Sequence, residues 1–371
     1  MTAPIQVIGI DASRAVGRVR TGTENYSAQL ITTLVSEPAD FDWRLYFNGN
    51  AAGLEHHASD NVDIRDIPAQ RLWTHIRLSR ELWSNRVTGL FVPAHVVPLY
   101  HPPTVVTIHD LGYLHWPEAH PASQRRMLDI TTRWSARVAR HIVVPSMQTA
   151  DDLVRFYKTP ASKITVIHHG IDPLMTAAPD LADTTLRDRY GLNRPYVLAV
   201  GTLQPRKNLG VLARAMSDVV RQHDVDLVIA GRKGWMHESV AAELQAAQLG
   251  DRLKVLDYIP AEDLPALYRN AEVFAQPSKF EGFGMPVLEA MACGTPVITA
   301  LGSSLDEIGG QATIQFEHDD PAQLRDALNS ILDNGGRRTT LIQLGFAHSA
   351  TFTWEQTARK TRIILEDYLL K

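Results

Sequence analysis

A single cysteine, Cys293, in 371 residues excludes a disulfide framework and a thiolate metal cluster. That fits a reducing compartment. No uninterrupted apolar run reaches the ~20 residues that span a bilayer. The opening MTAPIQVIGIDASR has no basic stretch ahead of a long apolar one, so no secretory signal is expected. A soluble, cytoplasmic protein is the expectation, lying at the inner face of the cell membrane if its substrate is lipid-linked. Also missing are the signatures of two large enzyme classes. Neither IQVIGIDASR nor YVLAVGTLQPRK holds the Gly-x-Gly-x-x-Gly of nicotinamide dehydrogenases, and no Gly-x-x-x-x-Gly-Lys-Ser/Thr is present. Metal-delivering patterns are not expected either: there is no His-x-x-x-His helix, and the Asp-x-Asp sequences Asp40-Phe41-Asp42 and Asp224-Val225-Asp226 run into the strands WRLYFNG and DLVIAG instead of reading as a metal-binding loop. His56-His57 and His168-His169 are adjacent pairs, a spacing that does not turn both rings to one face. Asp151-Asp152 and Asp319-Asp320 read as acids in the first turns of helices. No essential metal, no cofactor and no nucleic-acid partner is expected.

What is present is ordinary globular material, 44% hydrophobic and 21% charged. At roughly 100–200 residues per domain the length suggests two domains. Short apolar runs alternate with helical patterns, which argues for βαβ units and parallel sheets. IQVIGID, WRLYFNG, NVDIRDI, GLFVPAH, TVVTIHD and HIVVPS read as strands of one series, with amphipathic stretches at Glu24 to Leu34 and Ser123 to Ala139 between them. After a polar passage near Pro173 to Pro195 a second series begins: YVLAVG, DLVIAG, LKVLDY, VFAQPS and TPVITA. The expectation is an α/β chain of two doubly wound, Rossmann-like domains, residues 1–178 and 179–352, with functional loops at the carboxyl ends of both sheets facing a cleft. The stretch TFTWEQTARKTRIILEDYLL reads as a final helix, residues 353–371, with Thr351 or Thr353 as its N-cap.

Residues 1–180 hold 17 Lys/Arg and 17 Asp/Glu, and 11 of the 15 histidines. Within them, a basic cluster from Arg71 to Arg86 interleaves with Leu72, Trp73, Ile76, Leu82 and Trp83. Two readings compete. One is a surface for anionic lipid or a charged acceptor. The other is a helix that buries its Trp/Ile/Leu stripe and leaves its arginines in solvent.

The sharpest chemistry lies in the second half. Strand YVLAVG ends in Gly201 and is followed by Thr202-Leu203-Gln204-Pro205-Arg206-Lys207-Asn208. A glycine there permits close backbone approach, and Arg206 with Lys207 supplies two cations. That suits a diphosphate whose charge grows as its bond to a sugar breaks; a solvent-exposed basic loop is the competing reading. A second segment runs from Ser278 through Glu281-Gly282-Phe283-Gly284-Met285-Pro286 to Glu289. Pro286 suits the first turn of a helix, so the helix should begin just after Gly284 and present free N–H groups to an anion. Glu281 and Glu289 would offer acceptors for two polyols on either side of that diphosphate.

These two segments resemble the retaining glycosyltransferases of family 4, with their Glu-x7-Glu motif and Gly-…-Arg-Lys-Asn donor loop in this order, and the likeness covers most of the chain. It implies the GT-B fold, a nucleotide-sugar donor, and a saccharide or lipid-linked acceptor. Arg206 and Lys207 would hold the donor diphosphate, Glu281 the transferred sugar, Glu289 the ribose, and the backbone at Gly282, Phe283 and Gly284 the diphosphate or sugar. His109, in Thr107-Ile108-His109-Asp110, matches a histidine that contacts the donor sugar, though a loop histidine with a local backbone bond would read the same; Asp110 would orient it or cap the next segment. The loop Gly17 to Asn25 is similar to the family's acceptor loop but lacks its adjacent glycine pair, which leaves contacts from Thr21, Gly22 and Thr23 open. Gly170-Ile171-Asp172 resembles the interdomain hinge, Ser146 and Thr149 stand at cleft positions or cap a helix, and the last helix would return to the N-terminal domain. GIDASRAVGRVRTGTENYSAQL has the look of bacterial mannosyltransferases that assemble surface polysaccharides, which favours GDP-mannose over UDP-glucose, UDP-N-acetylglucosamine or another UDP-hexose. Base recognition is expected around Arg232 to Trp235 and Tyr258 to Asp263. A sugar-nucleotide epimerase, a phosphorylase and a non-catalytic sugar-nucleotide-binding partner remain the rivals. Peripheral membrane contact and oligomeric state are left open.

Overall fold

A computed structural model of the chain describes residues 6–16, 22–49, 60–179 and 181–371. Of the residues singled out above, Gly17 to Thr21 and His56-His57 lie outside these. The chain divides into two compact units, one comprising Met1–Leu111, Ala122–Gly170 and Thr353–Lys371, the other Gly112–Pro121 and Ile171–Phe352.

The first unit is built on β1 (Val7–Asp11), β2 (Asp42–Phe47), β3 (Val62–Asp66), β4 (Gly89–Val92), β5 (Thr104–Thr107), β6 (His141–Val144) and β7 (Ile164–Val166). They form one parallel sheet in the order β3-β2-β1-β4-β5-β6-β7. Its helices are α1 (Gly22–Ser36), α2 (Ser79–Ser84), α4 (Ala122–Val138) and α5 (Met147–Tyr157), while the single turn α3 (Gly112–His115) belongs to the second unit. β4, β5 and β6 are buried along their whole length, which is why they read as continuous apolar runs instead of alternating ones.

The second unit has β8 (Tyr196–Val200), β9 (Asp226–Ala230), β10 (Leu253–Leu256), β11 (Val273–Gln276), β12 (Val297–Ala300) and β13 (Thr313–Phe316), all parallel in the order β10-β9-β8-β11-β12-β13. Between the strands run α6 (Leu181–Tyr190), α7 (Leu209–Gln222), α8 (His237–Ala246), α9 (Leu264–Arg269), α10 (Met285–Ala292), α11 (Ser304–Gly309), α12 (Pro321–Leu332) and α13 (Gly335–Ser349). Strand side chains alternate between two cores. Val197 and Ala199 pack toward α7 and α12, while Tyr196 and Leu198 pack toward α9 and α10. Each fully buried Val, Leu or Phe stabilises by about 1.5–3 kcal/mol, so both faces of this sheet are heavily anchored. In each sheet the strand order reverses at one place, between β1 and β4 and between β8 and β11. Ligands of open α/β sheets bind beyond the carboxyl ends of the strands at such a reversal.

The last helix, α14 (Trp354–Leu365), is capped by Thr353, whose hydroxyl accepts from the Gln356 N–H at 3.3 Å. It packs on α1 and drives Trp354, Ala358 and Leu365 into the first unit's core. Thr357 donates to the His168 carbonyl at 2.8 Å, and a Cβ at Gly170 would stand 2.3 Å from the Trp354 nitrogen, so only glycine fits that crossing.

Three sequence expectations need correction. The Arg71 to Arg86 cluster is not one regular helix burying an Ile/Trp stripe. It opens as a π-helix, Trp73–Leu78, and continues as α2. The wider turn buries Trp73, Leu78 and Leu82 and leaves Leu72, Ile76 and Trp83 exposed. Asp151 and Asp152 fall in the second turn of α5, with Asp152 buried, while Asp320 caps α12 from outside it. Finally, β7 and β13 are strands that the apolar pattern did not mark.

Candidate active site

At the reversal point of the second sheet, β8 ends just before Gly201 and β11 ends at Gln276. Gly201 has φ 147°, and a Cβ there would meet the Lys207 side chain at 3.2 Å. Without one, Lys207 lies across the backbone and turns inward. Behind it, Gly231 (φ 156°) lets β9 pass so close that a Cβ would stand 2.0 Å from the Gly201 carbonyl oxygen.

Residues Pro205 to Lys207 form a short 3-10 turn whose two cations converge on Glu281. Lys207 Nζ donates to Oε1 at 2.6 Å and Arg206 Nη1 to Oε2 at 3.0 Å. Gln276 adds a third donor, Nε2 to Oε1 at 2.8 Å. Burial would raise the Glu281 carboxyl, but the charges of Lys207 and then Arg206 override it and hold the pKa at about 2. The basic loop is therefore not a solvated one: Lys207 is buried. Two cations against one carboxylate leave a net positive charge.

Backbone bonds stitch the two sequence segments together. The Lys279 N–H donates to the Arg206 carbonyl at 2.9 Å, Arg206 Nη1 also donates to the Phe280 carbonyl at 2.8 Å, and Asn208 Nδ2 donates to the Pro277 carbonyl at 3.1 Å. Ser304 donates to the carbonyls of Glu281 and Phe283, both at 2.9 Å, fixing the curl of the loop. Residues of the α3 segment lie over it, with His115 stacked on Phe280 at 4.5 Å and Lys279 above Trp116 at 4.9 Å. Gly284 adopts φ 103°, and α10 starts at the next residue with Pro286 in its first turn. Its amino end faces the same loop, so the positive end of the helix dipole adds to the field, although Pro286 has no N–H and the Val287 N–H is already taken by the Gly284 carbonyl at 3.0 Å.

Glu289 lies on α10, where the Tyr268 hydroxyl donates to Oε2 at 2.8 Å. Desolvation pushes its pKa up to about 7; the Tyr268 bond lowers it and the Asp172 charge raises it. The pair Glu281 and Glu289 thus stands at opposite ends of the carboxylate range, one firmly ionised and one titrating near neutrality.

His109 belongs to the first unit, just beyond the carboxyl end of β5. Its Nε2 donates to the Pro93 carbonyl at 2.8 Å, so the neutral ring presents Nδ1 as an acceptor. Tyr26 meets the ring edge-on at 4.8 Å, and His169 lies 5.7 Å away. Burial, then the neighbouring His95, lowers its pKa to about 4. Ser146 caps α5, and the Thr149 hydroxyl donates to the His109 carbonyl at 3.3 Å, so these two residues hold the histidine segment in place. Asp110 contributes a backbone bond to His95 and a charge felt by both rings.

Sequence reasoning missed Gln276 and Tyr268, which orient the two carboxylates. The only signal was their place at the carboxyl end of a strand and on the helix before it. In the expected base region, Arg232 lies over the Tyr258 ring at 4.5 Å and Trp235 is exposed. Asp263 is instead committed to Arg189 and Tyr190, each at 2.6 Å, and is buried. Among the described residues no group of three or more His, Cys, Asp or Glu is placed to hold a metal ion.

Residues 183–347 match the family described as Glycosyl transferases group 1, and residues 21–173 match Glycosyltransferase Family 4. The O-antigen chain mannosyltransferase B of Escherichia coli is 28% identical over 288 residues, 76% of each chain. A D-inositol 3-phosphate glycosyltransferase of Salinispora tropica is 33% identical over 60% of this chain, a match spanning only 49% of that relative. Among solved structures, the sucrose-phosphate synthase of Thermosynechococcus elongatus superposes with a TM-score of 0.77 at 20% identity, covering 98% of both chains. With one glycosyltransferase family matched on each half, and the loop from Gly201 to Asn208 joined to the segment from Glu281 to Glu289 at a sheet reversal, the chain belongs to the family 4-type glycosyltransferases of GT-B fold and is a hexosyltransferase using a nucleotide-sugar donor.

Proposed function

We propose that the chain transfers mannose from GDP-mannose to a hydroxyl of a saccharide or lipid-linked acceptor with retention of configuration. The observation that carries the site is the convergence of Arg206 and Lys207 on ionised Glu281 beside the start of α10. The mannosyl donor is supported by the likeness to an O-antigen chain mannosyltransferase.

In this reading the donor diphosphate lies against Arg206, Lys207 and the positive amino end of α10. These are fixed before the reaction begins, so they stabilise the leaving charge without reorganising. Glu281 accepts hydrogen bonds from the hexose hydroxyls. At a pKa of about 2 it is a weak base, ill suited to take the acceptor's proton. That proton goes to the departing phosphate oxygen, as the anomeric carbon passes through an oxocarbenium-like state and the acceptor oxygen enters on the face the diphosphate leaves. Glu289 receives the ribose hydroxyls, and His109 offers Nδ1 to a hydroxyl of the hexose. No metal takes part: Arg206, Lys207 and the helix end carry the charge.

A thermal-shift panel of GDP-mannose, UDP-glucose, UDP-N-acetylglucosamine, GDP and UDP, each with EDTA, tests this. A ligand at about 100 times its Kd stabilises by about 2.7 kcal/mol, an easily read shift. Selective response to GDP-mannose and GDP is expected. Selective response to a uridine series would replace the donor by a UDP-hexose, and conversion of donor to a new sugar nucleotide without acceptor would make the chain an epimerase.

A further inference from the structure

The π-turn that opens the Arg71 to Arg86 cluster leaves large apolar side chains in solvent, and they are not alone. Ile76 and Trp83 on the π-turn and α2, Leu99 on the loop between β4 and β5, and Met127 and Ile130 on α4 are each 58–61% exposed. These three segments of the first unit are physically joined. Trp83 meets Tyr100 edge-on at 4.8 Å, and the Tyr100 N–H donates to Ser79 at 3.1 Å. From the same loop, the Val97 N–H donates to Ser135 at 3.0 Å, and Trp134 donates back to the Val97 carbonyl at 3.2 Å. The loop therefore bridges α2 and α4.

The charge around these apolar groups is one-sided. Residues 71–86, 93–103 and 122–140 contain nine arginines, no lysine and two acids, Glu81 and Asp129. Their net charge is +7 in a chain whose formal net charge is −4. Arg80, Arg86, Arg126 and Arg133 are exposed beside the apolar side chains. On α4 the order Arg126, Ile130, Arg133, Arg137 follows one helical stripe, with Met127 and Trp134 next to it. Here arginine and bulky apolar residues interleave throughout, as in surfaces that lie in a lipid interface, apolar groups among the acyl chains and guanidinium groups at the phosphates.

We propose that this face, formed by the π-turn and α2, the loop between β4 and β5, and α4, docks the first unit onto an anionic lipid bilayer. The inference stands apart from the donor assignment, since none of its residues belongs to the donor site. It rests on the interleaving of exposed Ile76, Trp83, Leu99, Met127 and Ile130 with an arginine field that stays net positive although Arg77 pairs with Glu81 and Arg133 with Asp129.

The test is co-sedimentation of the full chain with vesicles of phosphatidylcholine alone or with 30% phosphatidylglycerol. Binding is expected to the anionic vesicles only, and to weaken at 0.5 M salt. Each arginine at an anionic surface contributes about a fivefold preference, so Arg80→Glu with Arg126→Glu should lower partitioning at least about thirtyfold. Trp83→Ser with Ile130→Ser should lower it too, while thermal unfolding and donor-induced stabilisation of both double variants stay as in the wild type. Absence of binding to anionic vesicles, equal binding to neutral ones, or unchanged binding by either double variant overturns the proposal. So does a wild-type dimer in light scattering that Trp83→Ser with Ile130→Ser converts to monomer without any vesicle binding, which would make the face a contact between copies of the chain.

Discussion

Replacing Tyr268 by phenylalanine removes one hydroxyl from a buried ring and little else, since the phenyl group keeps its packing against Phe274. The lost group is the donor that reaches Glu289 at 2.8 Å. A hydrogen bond to a charged partner contributes about 1.5–3 kcal/mol, and each 1.36 kcal/mol is one pKa unit. The titration of Glu289, at about 7 in the wild type, should therefore move up by about one to two units. In the proposed reading the ionised carboxylate accepts from two ribose hydroxyls, and the protonated form has given up one acceptor. Donor KM in the wild type should fall as pH rises through about 7, and the variant should need about pH 8–9 for the same fall. At pH 7.5 that corresponds to a donor KM raised on the order of tenfold, with kcat at saturating donor within about twofold. Initial rates across pH 6–9.5 read both constants. A KM profile identical to the wild type, or a loss that falls on kcat with KM intact, would refute the assignment of Glu289 to the ribose and of Tyr268 to its positioning.

Three other perturbations bear on the account. Arg206→Ala should lower kcat by about 10²–10³, the usual cost of removing one preorganised donor from a developing charge, with the fold intact by circular dichroism; near-normal transfer would sink its role. Gly231→Ala forces a Cβ to within 2.0 Å of the Gly201 carbonyl oxygen, so it should displace the donor loop and abolish donor-induced stabilisation, and an unaffected thermal shift would show that this close approach is dispensable. Acid should destabilise the chain before its carboxylates protonate. His109 and His141 are each lowered to about 4 by burial, so both are neutral above pH 6.5 in folded and unfolded chains alike. As pH falls from 6.5 to 4 the unfolded chain takes up protons that the folded one refuses, at up to about 3 kcal/mol per histidine. Glu289, raised to about 7, acts in the opposite sense over the same window, one group against several lowered imidazoles. A Tm that stays flat from pH 6.5 to 4, or a slope that His141→Gln does not reduce, would contradict this.

The strands of both sheets were legible wherever the chain is buried on both faces, as in β4, β6, β8 and β11. β7 and β13 were not, although the other edge strands β3 and β10 were: Ile164, Thr165 and Val166 are only three half-buried positions, and in β13 polar Thr313 and Gln315 alternate with Ile314 and Phe316. The loop from Gly201 and the segment from Glu281 to Glu289 could be read because glycine, proline and paired charges each have a local physical meaning. Their union could not. The bonds from Arg206 and Lys207 to Glu281 join positions 75 and 74 residues apart, and nothing local says which carboxylate a cation will find. For the same reason Gln276 and Tyr268 looked like strand and helix filler. The basic cluster misled for a different reason, because a period of 3.6 was assumed where the backbone widens into a π-turn and shifts the buried set to Trp73, Leu78 and Leu82.

The central claim is that Arg206, Lys207 and the loop before α10 hold a nucleotide diphosphate sugar. Calorimetric titration of GDP-mannose and UDP-glucose into the wild type and Arg206→Ala, in EDTA, tests it most directly. The account predicts one-to-one binding of one sugar nucleotide to the wild type, persisting without metal and weakened at least about tenfold by Arg206→Ala, as expected for a charge-assisted bond to phosphate. Absence of binding by either sugar nucleotide, or binding of equal strength to the variant, would contradict it.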